Sequence, residues 1–150
     1  MADYPKVYLY RRIVQAKLFI DAHYQQEIRL DQICDQAYFS KFYFIRLFKQ
    51  IYRLTPNQYL QERRINRAKN LLKAGESVSQ VCVAVGFNSI STFTGLFKRS
   101  IGQTPSQFKQ QQEQLRLSAL QTPLKFIPHC FASSHAEKSN FEEVASSTAI

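Results

Sequence analysis

The sequence predicts an all-α fold of about seven helices, arranged as two helix-turn-helix subdomains joined by a linker helix. Three observations predict it. Gly is only 4 and Pro only 5 of 150 residues, too few turn-formers for a fold of many short strands. Apolar residues recur at spacings of 3 and 4 along successive segments, the period of one helix face. One block of sequence recurs at an offset of 49 residues, the signature of a repeated structural unit. A hydrophobic share of 45% supplies a core and argues against a disordered chain.

The first helix is expected over about residues 5–24, where Leu9, Ile13, Ala16, Ile20 and Tyr24 form a stripe. Asp31 to Ala37 reads as a short helix with Ile33, Cys34 and Ala37 inward. Ser40 is a candidate cap for a helix over 40–52, whose apolar positions are Phe44, Leu47, Phe48 and Ile51. Thr55-Pro56 starts the joining helix: Thr accepts free N–H groups, and Pro at the first helical position loses nothing. That helix, 56–74, stops at Gly75. Ser77 to Val85 is a second short helix that buries Val78, Val81, Cys82 and Val85, and Gly86 sits in a turn that tolerates positive φ. Ser89 to Ile101 follows, with Phe93, Leu96, Phe97 and Ile101 inward. Thr104-Pro105 opens a final helix over 105–116.

The repeat organises this succession. Leu47-Phe48-Lys49 aligns with Leu96-Phe97-Lys98, and Thr55-Pro56-x-Gln58-Tyr59 aligns with Thr104-Pro105-x-Gln107-Phe108, both at 49. For the short helices the offset is 48: Ile33-Cys34 aligns with Val81-Cys82, and Tyr38-Phe39 with Gly86-Phe87. The second copy therefore has one extra residue in its turn. A short helix, a turn and a longer helix, twice, make a duplicated helix-turn-helix over about 29–52 and 77–101. Repeat logic also makes Cys34 and Cys82 small core residues, not a disulfide or metal pair.

The net charge of +9 is unevenly spread. Residues 40–73 hold Lys41, Arg46, Lys49, Arg53, Arg63, Arg64, Arg67, Lys69 and Lys73 against the single acid Glu62. Such concentration suits a polyanion, either nucleic acid or a membrane surface, although a basic face can also be merely solvated. No run approaches the roughly 18 apolar residues of a membrane span, and no secretory signal is visible, so a cytoplasmic protein is expected.

These residues resemble the DNA-binding domain of the AraC/XylS family of bacterial transcription regulators. The second copy carries the resemblance most strongly, through Val81-Cys82-Val83-Ala84-Val85-Gly86-Phe87, Phe93, Leu96-Phe97-Lys98, Gly102 and Thr104-Pro105-x-x-Phe108. The first copy agrees through Leu30, Ile33, Ser40, Phe44, Leu47-Phe48-Lys49, Pro56 and Tyr59, and the joining helix through Arg64, Ala68 and Leu71-Leu72. The likeness covers roughly residues 10–110 and the domain is bounded at 5–112. It implies seven helices, two recognition helices on a rigid rod, and binding in successive major grooves on one face of double-stranded DNA. A joining helix about 28 Å long, with half a subdomain at each end, can span grooves about 34 Å apart.

A recognition helix buries one stripe and shows the other to the groove. Lys41, Phe42, Ile45 and Arg46 are the expected base-contacting positions of the first. Arg46 offers a planar fork to guanine O6 and N7, and Phe42 can touch a thymine methyl. Ile90, Ser91, Thr94 and Gly95 are their counterparts in the second. Gly95 stands opposite Arg46, so the second helix lacks a strong guanine reader and the first is expected to carry most of the sequence specificity. Ser40, Lys49, Arg63, Arg67, Ser89, Thr92, Lys98 and Arg99 are expected at phosphates. For Arg64 two roles stand open: a phosphate contact, or a joint between helices. Tyr38, where the second copy has Gly86, departs from the pattern.

No catalytic constellation, metal-ligand spacing or phosphate-binding glycine loop is present, so no enzyme activity, metal or cofactor is expected. Only about nine residues precede the first stripe, too few for a ligand-binding domain, so control by protein abundance is the simpler expectation; the alternative is that the chain is a fragment of a longer regulator. A monomer can cover a pseudo-duplicated site alone. Residues 118–150, with Pro123 and Pro128, are expected to form a weakly ordered or partner-docking tail. The competing reading is a helical interaction module that binds another regulator or RNA polymerase without reading DNA.

Overall fold

A computed structural model describes residues 4–29, 31–33, 40–122, 125 and 127–128. Regular structure among them is entirely helical: α1 (Tyr4–His23), α2 (Lys41–Tyr52), α3 (Pro56–Lys73), α4 (Val78–Ala84), α5 (Ile90–Ile101) and α6 (Pro105–Gln121). Residues 31–33 are also helical, where the further short helix was expected to begin. The rest of that segment, with Cys34 and Tyr38, lies outside the described residues, as do residues 129–150. The chain divides into two compact units, Met1–Lys109 and Gln110–Ile150. The first holds both copies of the repeat.

Local chemistry explains why the repeated motif reads Thr-Pro-x-Gln. Thr55 caps α3 by accepting from the Gln58 N–H at 3.2 Å, while the Thr55 N–H donates back to Gln58 Oε1 at 2.9 Å. Thr104 and Gln107 repeat the reciprocal pair at 3.3 and 3.0 Å before α6. Each pair satisfies two backbone donors that the helix cannot, and Pro fills the position that needs none. Thr55→Ala is therefore expected to cost about 1 kcal/mol, read as a lower urea midpoint at unchanged slope. Ser77 and Gln80 form the same box before α4. The α3 and α4 helices end in one way: Gly75 and Gly86 take positive φ, and the Glu76 and Phe87 N–H groups reach back to the Leu71 and Cys82 carbonyls. After α5, Gly102 turns left-handed and its N–H donates to Lys98 O at 2.8 Å. Its repeat partner after α2 is Arg53, which makes the same 2.8 Å bond to Lys49 O at φ 63°. Arg53→Gly should relieve that strain and raise stability by about 0.5–1 kcal/mol in the same urea assay.

Packing repeats as the motifs do. The first cluster joins Ile13, Ala16 and Ile20 of α1 to Ile33, Phe44, Phe48 and Leu60. The second joins Ile65, Ala68 and Leu72 to Val81, Cys82, Val85, Phe87, Phe93, Phe97 and Phe108. Phe48 meets Tyr59 edge-on at 5.8 Å, and Phe97 meets Phe108 likewise at 5.6 Å. Thus α3 gives its first turns to one core and its later turns to the other. Because both cores share this one helix, it acts as a rod and holds α2 and α5 in fixed relation.

Four details differ from expectation. Ile51 is 37% exposed, because it stands on the solvent edge of α2 while Phe44 and Phe48 fill the core. Ser40 occupies the cap position of α2, yet its hydroxyl accepts no bond from that helix. The α6 helix runs to Gln121, so residues 118–121 are helical; no breaker precedes Pro123, and the position before a proline disfavours helix. Finally, α1 is apolar on two faces: opposite its buried stripe, Val7, Tyr10, Val14 and Leu18 are exposed.

Candidate nucleic-acid interface

The outer face of α2 carries Lys41, Phe42, Arg46 and Lys49, all exposed. Phe42 is 83% exposed, an unusual position for a large apolar ring. Arg46 and Lys49 make no ion pair or hydrogen bond with the described residues. Lys41 makes an exposed pair with Asp31 at 3.1 Å, a contact that a competing anion displaces at little cost. Ile45 is set deeper than expected: it is half-buried and packs on the first cluster, which leaves only part of its side chain at the surface.

On α5, Ile90, Ser91 and Gly95 are exposed and Thr94 is half-buried. A Cβ added at Gly95 would meet nothing within 4 Å, so packing does not require glycine there. Ser89 caps the helix by accepting from the Thr92 N–H at 3.4 Å. Lys98 and Arg99 extend from its last turn, and both are exposed.

Two arginines of α3 are held by the protein itself. Arg63, expected at phosphates, pairs with Asp21 at 2.8 Å because α1 packs against α3 and brings that carboxylate beside it. Asp21 also accepts from Lys17 at 2.8 Å and from the Tyr59 hydroxyl at 2.9 Å. Burial pushes the Asp21 carboxyl up, but bonds from Lys17 and Tyr59 and the nearby Arg63 charge outweigh it and hold the group below the usual carboxylate range. A carboxyl whose pKa is depressed on folding adds stability above the unfolded value of about 4, and that stability is lost as pH falls through the lower folded value. Asp21→Asn should accordingly lower stability at neutral pH and flatten its decline below about pH 4, measured by urea unfolding across pH.

Arg64 forms the joint. Its Nε donates to Tyr24 O at 2.7 Å and its Nη2 donates to Gln26 O at 2.8 Å. Its guanidinium lies 5.3 Å from the centre of the Phe87 ring. One side chain of the rod thus clamps the backbone after α1 and stacks on the turn of the second copy. Burial holds its pKa below the usual arginine value, with Glu27 opposing that shift. Of the two roles open for this residue, the structure places it in the joint. Arg67 is exposed one turn on and unpaired among the described residues. Sequence reasoning missed Asp21 and the 24–26 carbonyls. The Lys17–Asp21 spacing of four was a usable sign for the first, whereas nothing in a residue type announces a backbone acceptor.

Two helices with exposed outer faces that carry cations, held on one shared rod, define a helix-turn-helix domain of the nucleic-acid-binding class. The family described as a helix-turn-helix domain matches residues 33–111, more than half of the chain. The chain belongs to the AraC-type helix-turn-helix family. It is 30% identical over 93 residues to the bifunctional transcriptional activator/DNA repair enzyme AdaA of Bacillus subtilis, covering 61% of this chain and 44% of AdaA. It is 32% identical over 114 residues to the HTH-type transcriptional regulator AlkR of Acinetobacter baylyi, covering 73% of this chain and 37% of AlkR. The chain thus spans less than half the length of these curated relatives. The DNA-binding domain of AdpA, solved in complex with a target DNA, superposes with a TM-score of 0.66 at 25% identity, covering 69% of this chain and 95% of that one. No helix among the described residues is long and apolar enough to cross a membrane.

Proposed function

We propose that the chain is a sequence-specific, double-stranded-DNA-binding transcription regulator that sets α2 and α5 into successive major grooves on one face of the duplex. The observation that carries this reading is the shared rod: α3 contributes to both cores, and Arg64 locks the two copies together. In this reading Arg46 forks onto a guanine and Phe42 covers a thymine methyl, with Lys41 and the exposed edge of Ile45 beside them. On α5, Ile90, Ser91, Thr94 and Gly95 meet the second groove with weaker discrimination, since hydroxyls pair with several bases and glycine with none. Ser40, Lys49, Arg67, Ser89, Thr92, Lys98 and Arg99 fix the register on phosphates. Arg63 stays with Asp21. A monomer suffices, in the cytoplasm, and no catalysis is involved.

Titrating labelled duplex across salt tests the reading. Several phosphate contacts require log affinity to fall steeply with log salt, by about 0.9 per contact; a flat response removes the proposal. Arg46→Ala should cost about 1–3 kcal/mol on the best site and little on random DNA. A second reading, contact with RNA polymerase or another regulator, is favoured by the exposed stripe Val7, Tyr10, Val14 and Leu18 on α1. It predicts retention of RNA polymerase on immobilised protein without DNA, lost in Val14→Glu.

A further inference from the structure

A cleft lies between the two copies, and of the two reading helices only α5 reaches it, through Thr92. It has a volume of about 340 Å³ and lies among the first turns of α3, residues 27–28 and the segment that enters α5. Most of its polar side chains can donate a hydrogen bond. The carboxamides of Asn57, Gln61 and Asn88 line it, and none is hydrogen-bonded to a described residue. Ser89 Oγ already accepts from the Thr92 N–H, which leaves its own O–H to donate. Arg64 spends Nε and Nη2 on the Tyr24 and Gln26 carbonyls, and its other terminal nitrogen makes no bond to the described residues. Charge within the cleft balances, with Glu27 against Arg64. The result is a neutral recess rich in N–H donors.

The groove-binding reading of α2 and α5 says what such a recess meets. Two helices in successive major grooves on one face leave the intervening minor groove, with its bordering strands, opposite the surface between them. Phosphate oxygens accept hydrogen bonds from Asn, Gln and Ser side chains as well as from cations. We propose that this cleft seats a phosphodiester of the strand that crosses between the two grooves. Asn57, Gln61 and Asn88 donate to its non-bridging oxygens and Arg64 supplies the adjacent positive charge. The inference rests on the reading of α2 and α5 as groove-binding helices. It adds a contact that is independent of base sequence and, unlike a lysine contact, releases no counterion through the amides. Glu27 at the same recess opposes the phosphate and weakens the grip.

The test uses the full chain with Asn57, Gln61 and Asn88 all changed to Ala, after urea unfolding has shown that the variant folds. Affinity should fall about tenfold on a selected duplex and on a random duplex alike, with the salt slope unchanged, because neutral donors carry no counterion release. Glu27→Gln should tighten both. A duplex bearing one methylphosphonate at the central linkage should bind the wild-type protein less tightly, and the triple variant should lose nothing more to that substitution. Free inorganic phosphate at constant ionic strength should not compete at millimolar levels; competition would assign the cleft to a small phosphate ligand and overturn the backbone contact. Unchanged affinity of the triple variant on a duplex that the wild type binds overturns this inference alone. Failure of the wild type to bind any duplex overturns the groove-binding reading as well.

Discussion

Gly86→Ala is expected to destabilise the protein by about 3 kcal/mol, a large part of the roughly 5–15 kcal/mol that holds a domain folded. Two costs combine. The residue sits at φ +88°, where an L side chain is strained by about 1 kcal/mol or more. Its new Cβ would also stand 2.6 Å from the Gln25 carbonyl oxygen, 2.9 Å from that carbonyl carbon and 3.0 Å from the Tyr24 oxygen. These are backbone atoms that cannot swing aside, and Arg64 pins the same segment. Forcing them apart adds about 1–3 kcal/mol. Gly75→Ala and Gly102→Ala separate the two costs. Both glycines have positive φ, but an added Cβ meets nothing within 4 Å, so each should lose only about 1 kcal/mol. Urea midpoints of the three variants at a common slope make the comparison; equal losses would mean that the approach of Gly86 to residues 24–25 carries no energy.

Arg64→Met is expected to cost about 2–3 kcal/mol. Methionine keeps most of the stem and its packing on Phe87 but removes both donors, leaving the Tyr24 and Gln26 carbonyls without their charged partner. The residue is only half-buried, so water reaches part of the vacated site and holds the cost below that of a fully buried pair. Arg64→Lys should recover less than half of the loss, because one ammonium cannot span two carbonyls with the arginine fork. Without the clamp the two copies are held together less firmly, by α3 and by the approach of Gly86 to residues 24–25. Affinity for a duplex carrying both half-sites should then fall further than affinity for a single half-site. Equal proportional losses would contradict the role of Arg64 as a coupling residue.

The elements were legible in sequence where one residue type has one physical use. Thr-Pro-x-Gln is a cap, a fixed φ and a returning amide, so its two occurrences marked both helix starts. Leu-Phe-Lys at the same spacing marked two core faces, and Phe44, Phe48, Phe93 and Phe97 lie where that spacing puts them. What stayed hidden depends on contacts between distant segments. Arg63 looked like any exposed cation until the packing of α1 brought Asp21 to it. Arg64 had two roles because its partners are main-chain carbonyls, which every residue owns. Ile45 and Ile51 show the limit of periodicity on a helix of 12 residues: the first counted as outward yet packs on the core, and the second counted as inward yet is exposed. The unbonded amides of the cleft come from two distant segments, Asn57 and Gln61 on α3 and Asn88 before α5, and only packing brings them together.

Hydroxyl-radical footprinting of a duplex selected from a random pool tests the two-groove arrangement most directly. Protection should fall on one face of the helix, in two windows centred about 10 base pairs apart, with the window under α2 the sharper in sequence preference. One window alone, or two windows on opposite faces, would contradict a rigid pair of reading helices carried on a shared rod.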